Sequence, residues 1–115
     1  MMADPESEPI RVNELRGDEG GAWRVVTRDS RHYFDLDLGT VTRVPGAGAP
    51  PTINDRPRPL RSIDALRVGD RGRWTMYTDG WDEVIDYFWA NTSIVAAIEA
   101  ISRADLPGAG GVVPD

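Results

Sequence analysis

Residues 22–44 read AWRVVTRDSRHYFDLDLGTVTRV, and this stretch decides the fold class. In its first third the bulky Trp23, Val25 and Thr27 occupy every second position of a run rich in β-branched and aromatic residues, the period of a strand buried on one face. Asp29, Ser30 and Arg31 supply turn chemistry. The chain resumes at His32 with Phe34, Leu36 and Leu38 on one side and Tyr33, Asp35 and Asp37 on the other. Gly39 then marks a second tight turn into Thr40–Val44. The spacing predicts a three-stranded antiparallel meander with one apolar surface and one wet one.

Outward from this meander the chain changes character on both sides. Residues 1–21 have no aromatic residue, are acidic, and end in Gly17, Gly20 and Gly21. Such a composition does not repay its own ordering entropy, and a flexible acidic arm is expected, held only by something outside itself if it is ordered at all. Residues 45–59 hold five prolines together with Gly46 and Gly48, which excludes a helix or a central strand and predicts a surface loop. Beyond it Leu60–Leu66 resumes apolar spacing, Val68-Gly69-Asp70 reads as a bend, and Trp74 and Met76 alternate with Arg73, Thr75 and Tyr77 in a further strand. Asp79-Gly80 is the strongest turn dipeptide of the chain and predicts a hairpin returning towards Trp89.

From there two periods fit equally. Trp81, Val84, Ile85, Phe88 and Trp89 fall on a helical stripe, as do Ile94, Val95, Ile98 and Ile101, with Thr92 or Ser93 available as a cap and four alanines among residues 96–104 favouring a helix. Strand or helix stays open over 81–90 and 92–104. Pro107 and the glycines after it end the segment. One domain is therefore expected over 22–104, mainly β, a small antiparallel barrel or sandwich with the option of a C-terminal helix, and a flexible tail over 105–115.

Composition narrows the function classes. The chain has no cysteine, which removes disulfides, thiolate metal sites and cysteine nucleophiles. No apolar run reaches the ~20 residues of a membrane-spanning helix, and a cytoplasmic location without membrane contact is expected. The basic residues are all arginine, whose planar fork suits carboxylates and phosphates. Charge is uneven: −4 over residues 1–21, +4 over 22–74 and −6 over 75–115. That distribution speaks for opposed faces rather than for a polyanion binder, and the preferred reading is self-complementarity within the fold.

The residues also resemble a family of small proteins of actinobacteria and their phages that has no assigned function. The likeness is carried by Trp23, Val25 and Thr27; Tyr33, Asp35, Leu36 and Asp37; Val41, Arg43, Pro45 and Gly46; Leu60 and Ile63; Val68 and Gly69; and Thr92, Ser93, Val95 and Ile98. It spans roughly residues 22–99. The resemblance implies an antiparallel sheet curled into a small barrel or sandwich whose last strand lies near 93–98. The sequence departs from the family at Ile94, where proline is common, and in its alanine-rich continuation, which leaves the C-terminal helix open.

Few constellations carry chemistry. His32 is the single histidine, and a structural or surface role is expected of it. Asp35 and Asp37, two apart on a strand, share a face that could hold a divalent cation or act as an acid and base pair, and the preferred reading is a solvated strand face. Asp79, Asp82, Glu83 and Asp86 lack the spacing of a calcium loop. No enzyme, metal or cofactor is expected. Two binding surfaces remain. Trp81, Tyr87, Phe88 and Trp89 crowd aromatics beside charge, as protein interfaces do. Arg56, Arg58, Arg61, Arg67, Arg71 and Arg73, next to Trp74 and Tyr77, would suit single-stranded nucleic acid on a small barrel, although a sequence pI of about 4.7 argues against it. A non-catalytic protein-interaction module is the first expectation, self-associating or docking on another protein, with an accessory or structural protein of an actinobacterial phage as its expected setting; binding of single-stranded nucleic acid or another polyanion is the alternative.

Overall fold

The computed structural model describes residues 10–46, 56–77 and 87–107. Seven strands run through them: β1 (Ile10–Val12), β2 (Ala22–Thr27), β3 (Ser30–Asp35), β4 (Thr40–Pro45), β5 (Arg58–Ala65), β6 (Arg71–Tyr77) and β7 (Tyr87–Ile101). All pairings are antiparallel. The order β2-β3-β4-β5-β6-β7 closes on itself through β7 and β2 into a six-stranded barrel, and β1 lies outside it against β7. Among the described residues no helix is long and apolar enough to cross a membrane.

The meander stands where the alternation places it. Trp23 pairs with Phe34 and Phe34 with Val41 across β2, β3 and β4. Val25 and Phe34 are fully buried and Val41 nearly so. They pack with Met76, Leu66, Val95, Ile98 and Trp74, whose indole meets Phe34 edge-on at 5.0 Å. β3 stops sooner than the alternation suggests, however. It ends at Asp35, and residues 36–39 form a turn closed by the Gly39 amide donating to the Asp35 carbonyl at 2.7 Å. Gly39 has φ of +76°, a conformation that glycine adopts without strain. Leu36 still packs against the core, but Leu38 is 72% exposed and does not continue the apolar face.

β7 makes the ambiguous stretch a strand over Tyr87–Ile101, while residues 81–86 of it lie outside the described residues. Its first part pairs with β6, from Tyr87 opposite Tyr77 to Ile94 opposite Arg71; its second part pairs with β2, from Val95 opposite Thr27 to Ile101 opposite Ala22. The register slips by one residue between Arg71 and Arg73, and again between Val26 and Thr27, so β7 carries an extra residue at each place. Phe88, Ala90 and Thr92 therefore point inward at intervals of two, but Val95 and Ile98 follow at intervals of three. Two bulges in a strand produce the spacing of a helix. A tight crossing accompanies the first bulge: a Cβ on Gly72 would lie 3.0 Å from both Leu66 Cδ1 and Thr92 Oγ1, and the Gly72 amide donates to that hydroxyl at 2.8 Å. After Ile101 comes one 3₁₀ turn, Arg103–Asp105, capped by the Ser102 hydroxyl. The C-terminal helix left open by the sequence is a strand.

The N-terminal boundary also moves. Ile10–Val12 add to β7 opposite Ile98–Ala100, on the edge that β6 has left. The Leu15 amide donates to the Leu66 carbonyl and the Val68 amide to the Asn13 carbonyl, both at 2.9 Å. Leu15 is 1% exposed, a member of the core. The domain expected to begin at Ala22 thus begins at Ile10, and what holds the acidic segment is the outer edge of β7 and the Leu66–Val68 bend. Of the loop expected over 45–59, Pro45 ends β4 and Arg58 and Pro59 open β5, while 47–55 lie outside the described residues.

Burial of Leu15 against Leu66 makes the stretch before Ala22 part of the cooperative unit. Leu15→Ala is expected to cost about 2–5 kcal/mol in urea unfolding. Deletion of residues 1–21 should cost at least as much, and a truncated chain as stable as the full one would contradict this placement.

Candidate interaction face

The outer face of β6 and β7 is built by simple alternation. With Gly72, Trp74 and Met76 turned into the barrel, Arg71, Arg73, Thr75 and Tyr77 face outward, and across from them stand Ile94, Asn91 and Trp89. The Arg73 guanidinium lies over the Trp89 ring at 4.1 Å from its centroid. An exposed stack of this kind contributes about 0.5–1 kcal/mol and, more importantly, fixes two large side chains in one orientation. Beneath it Thr75 is 1% exposed and shares a 2.7 Å hydrogen bond with the Ser62 hydroxyl of β5. Trp89 is 45% exposed and Tyr77 52%, so an aromatic surface stands open beside the arginine. Arg71 donates from Nη1 to the Thr92 carbonyl at 3.3 Å, at the other end of the same strip.

The four aromatics proposed from the sequence divide. Trp89 is on this face. Phe88, one residue earlier, turns inward against the core, with the buried Arg58 guanidinium 5.4 Å from its ring centroid. Tyr87 is the register partner of Tyr77 at the start of β7, and Trp81 lies outside the described residues. The six arginines do not converge either. Arg58 is 3% exposed; Arg67 reaches Glu14 at 3.8 Å on the N-terminal side; Arg56 and Arg61 are exposed; Arg71 and Arg73 lie on the β6 strip. Residues grouped by proximity in sequence are thus regrouped by pairing: Arg73 and Trp89, from two different sets, meet across strands. Tyr77 belongs with them, as the register partner of Tyr87 one level from Trp89; the Asp79-Gly80 hairpin expected from the sequence lies outside the described residues.

The carboxylate pair at Asp35 and Asp37 has a different use from either reading given to it. Because β3 ends at Asp35, its carboxylate turns back to accept from the Asp37 amide at 3.1 Å and the Leu38 amide at 3.0 Å. Arg103 closes on it in a fork, Nη2 to Oδ2 at 2.7 Å and Nη1 to Oδ1 at 3.0 Å, and also reaches Asp37 Oδ2 at 3.2 Å. Asp35 is 5% exposed, not solvated. These contacts pin the C-terminal 3₁₀ turn over the β3–β4 hairpin and leave a groove of about 550 Å³ between Tyr33, Thr40, Thr42 and the Leu106–Pro107 strap. The Arg103 hydrogen bonds, helped by the two backbone amides, hold the Asp35 carboxyl below its ordinary range against the opposing effect of burial.

Glu99 is the second buried acid. Burial pushes its carboxyl up, but Arg24 Nε at 2.7 Å and Arg11 Nη2 at 3.2 Å outweigh this and hold it below the usual range. The three residues stand at one level of β2, β7 and β1, so a single carboxylate fastens three strands. His32 is also structural. It is 7% exposed, its Nε2 lies 3.0 Å from the Ser30 hydroxyl, and its ring meets Trp74 edge-on at 4.9 Å. Among the described residues no three His, Cys, Asp or Glu side chains are grouped to hold a metal ion.

The carboxyls of Asp35, Glu99 and Glu19 all lie below their usual range, so the folded chain binds fewer protons than the unfolded one in acid. Their contribution is complete above about pH 5 and is lost as the pH falls through the folded-state values, so the urea midpoint should decline steadily below pH 5. Glu99→Gln should lower stability at pH 7 by about 1.5–3 kcal/mol and flatten the acid limb, since a neutral amide no longer titrates. An acid limb of unchanged slope in that variant would contradict the assignment.

Comparison with protein-family models, with curated proteins and with solved structures finds no match to this chain.

Proposed function

We propose that this chain is a non-catalytic interaction module that docks another protein on the outer face of β6 and β7. The observation that carries the reading is Trp89, large, open to solvent and locked in orientation by Arg73. Tryptophan, tyrosine and arginine are the residue types that concentrate binding energy at interfaces, and here they share one rigid sheet surface rather than a loop. The buried carboxylates are engaged in holding the fold together, Asp35 at a turn and Glu99 at a strand junction. The resemblance to small proteins of actinobacteria and their phages makes an accessory or structural protein of such a phage the setting that this reading suits.

The alternative, binding of single-stranded nucleic acid or another polyanion, draws on the same stack, since an arginine and an aromatic ring side by side can take a phosphate and a base. It is weaker because Arg56, Arg58, Arg61 and Arg67 do not extend the strip formed by Arg71 and Arg73, and because the chain carries a net charge of −6.

Immobilised chain should capture a protein, from an actinobacterial lysate or from a solution of the chain itself, and the Trp89→Ala, Arg73→Ala double variant should retain less than a tenth of it. Equal capture by both would remove the reading. Single-stranded oligonucleotides at low salt should show no change in fluorescence anisotropy; tight, salt-sensitive binding would favour the alternative.

A further inference from the structure

We propose that the carboxylates of Asp35 and Asp37, with the groove beside them, form a binding site for an arginine side chain of another protein, and that Arg103 occupies this site in cis as a displaceable stand-in. The site lies on the outer side of β3 and β4, apart from the β6–β7 face, and gives the chain a second docking point.

The fork of carboxylates does not need Arg103 to form. Asp35 Oδ1 accepts from the Asp37 and Leu38 amides at 3.1 and 3.0 Å, and Asp37 Oδ1 accepts from the Gly21 amide at 3.0 Å. Backbone donors thus set both carboxylates in place. On their open side the two converge on one planar group: Arg103 meets Asp35 with both terminal nitrogens and Asp37 with one of them. Such a two-pronged arrangement suits a guanidinium and not the point charge of an ammonium. Asp35 is 5% exposed, so without a cation the site would hold a buried, unpaired charge.

The present occupant is weakly tied. The strap that carries it, residues 102–107, has no buried residue. Its backbone hydrogen bonds close on themselves, since the Ala104, Asp105 and Leu106 amides donate to Ser102 and Arg103. Among the described residues the hydrogen bonds that join the strap to the barrel are those of Arg103, itself half exposed. A segment with so few attachments opens locally at a fraction of the free energy of global unfolding. A strap closed at least about nine-tenths of the time would lower the apparent affinity of an outside arginine about tenfold.

Nor does the strap fill the space it spans. A segment serving stability alone would pack down on the sheet, whereas here a groove of about 550 Å³ stays open, the volume of a ligand site. Thr40 and Thr42 line it on the sheet side, Leu38, Pro57 and Leu106 as apolar walls. Thr42 is 6% exposed, and among the described residues no group bonds its hydroxyl, which a carbonyl of an incoming segment would satisfy. Leu38, 72% exposed, offers apolar surface to the residues flanking an arginine. Arg103 thus shows the chemistry the fork takes, and the groove provides room for the chain that would deliver it.

The strap supplied in trans tests this. The peptide acetyl-Ser-Arg-Ala-Asp-Leu-Pro-amide, titrated into the full-length Arg103→Ala chain and followed by amide NMR, should move the Leu38 and Gly39 signals. It should bind that variant at least about tenfold more tightly than the wild type. The same peptide with lysine in place of arginine should bind at least about tenfold more weakly. In the wild-type chain, about 10 mM peptide exceeds the millimolar effective concentration of a short tether and should shift Leu38 together with the Ala104–Leu106 amides, because the strap has to leave. Equal affinity of the folded variant and the wild type, or equal binding of the lysine peptide, would overturn the proposal. So would wild-type hairpin signals that stay still, or that move while the strap does not. Should Arg103→Ala not fold, the wild-type titration decides alone.

Discussion

Everything in this molecule depends on one strand that closes the barrel by pairing with β6 along its first half and with β2 along its second. β7 is fifteen residues long and, among the described strands, alone pairs with β6, β2 and β1. A straight strand of that length would run off the end of a small barrel, and the two bulges bend it so that its first half completes one side of the closure and its second half the other. Its edge is filled without a gap of more than a few residues: β6 up to Ile94, then the Gly69–Asp70 bend exchanging two 2.9 Å hydrogen bonds with Val95, then β1 from Ile98 onward. The core follows from that path, since Val95 and Ile98 reach the interior only because an extra residue precedes each.

The chain's use of arginine follows from the same geometry. An acid-rich protein without lysine or cysteine fastens its junctions with guanidinium forks, which can satisfy a buried carboxylate from two directions at once. Glu99 joins β1, β7 and β2 through Arg11 and Arg24, and Asp35 joins the β3–β4 turn to the C-terminal strap through Arg103. Breaking such a pair leaves a charge in a place where water does not fully reach, and that cost exceeds what the intact pair contributes. The carboxylates that sequence inspection offers as chemical groups are, in the folded molecule, fasteners. Surface chemistry is left to the β6–β7 strip, where Arg73 rests on a ring instead of an acid.

How much of this could be read from the sequence varied with how local its cause was. The meander was legible because alternation and turn residues are short-range signals, and Trp23, Val25, Phe34 and Val41 all stand as that pattern implies. β7 was not, because its bulges convert a period of two into steps of three, and Thr92, Val95 and Ile98 then mimic one face of a helix that four alanines would have favoured. Leu15 was hidden for a different reason: an acidic, glycine-rich segment has no stabilising pattern of its own, and its place in the core comes from Leu66, fifty-one positions away. Asp35 was misread through a turn that begins three residues before the alternation stops. The candidate site was half legible, since aromatic and arginine residues were recognised as the binding groups, but only pairing across strands shows that Arg73 and Trp89 act together while Phe88 and Arg58 are interior.

Because the interaction face exists only if β6 and β7 are paired in this register, the strand character of residues 87–101 is the claim to test first. Cross-strand proton contacts by NMR decide it in one spectrum. A doubly paired β7 requires contacts of the Thr75 and Trp89 backbones and of the Val25 and Ile98 backbones in the same sample, with irregular spacing near Ser93 and Ala96. Sequential amide contacts with i to i+3 connectivities over 92–101 would mean a helix, and with it neither a closed barrel nor a Trp89 surface.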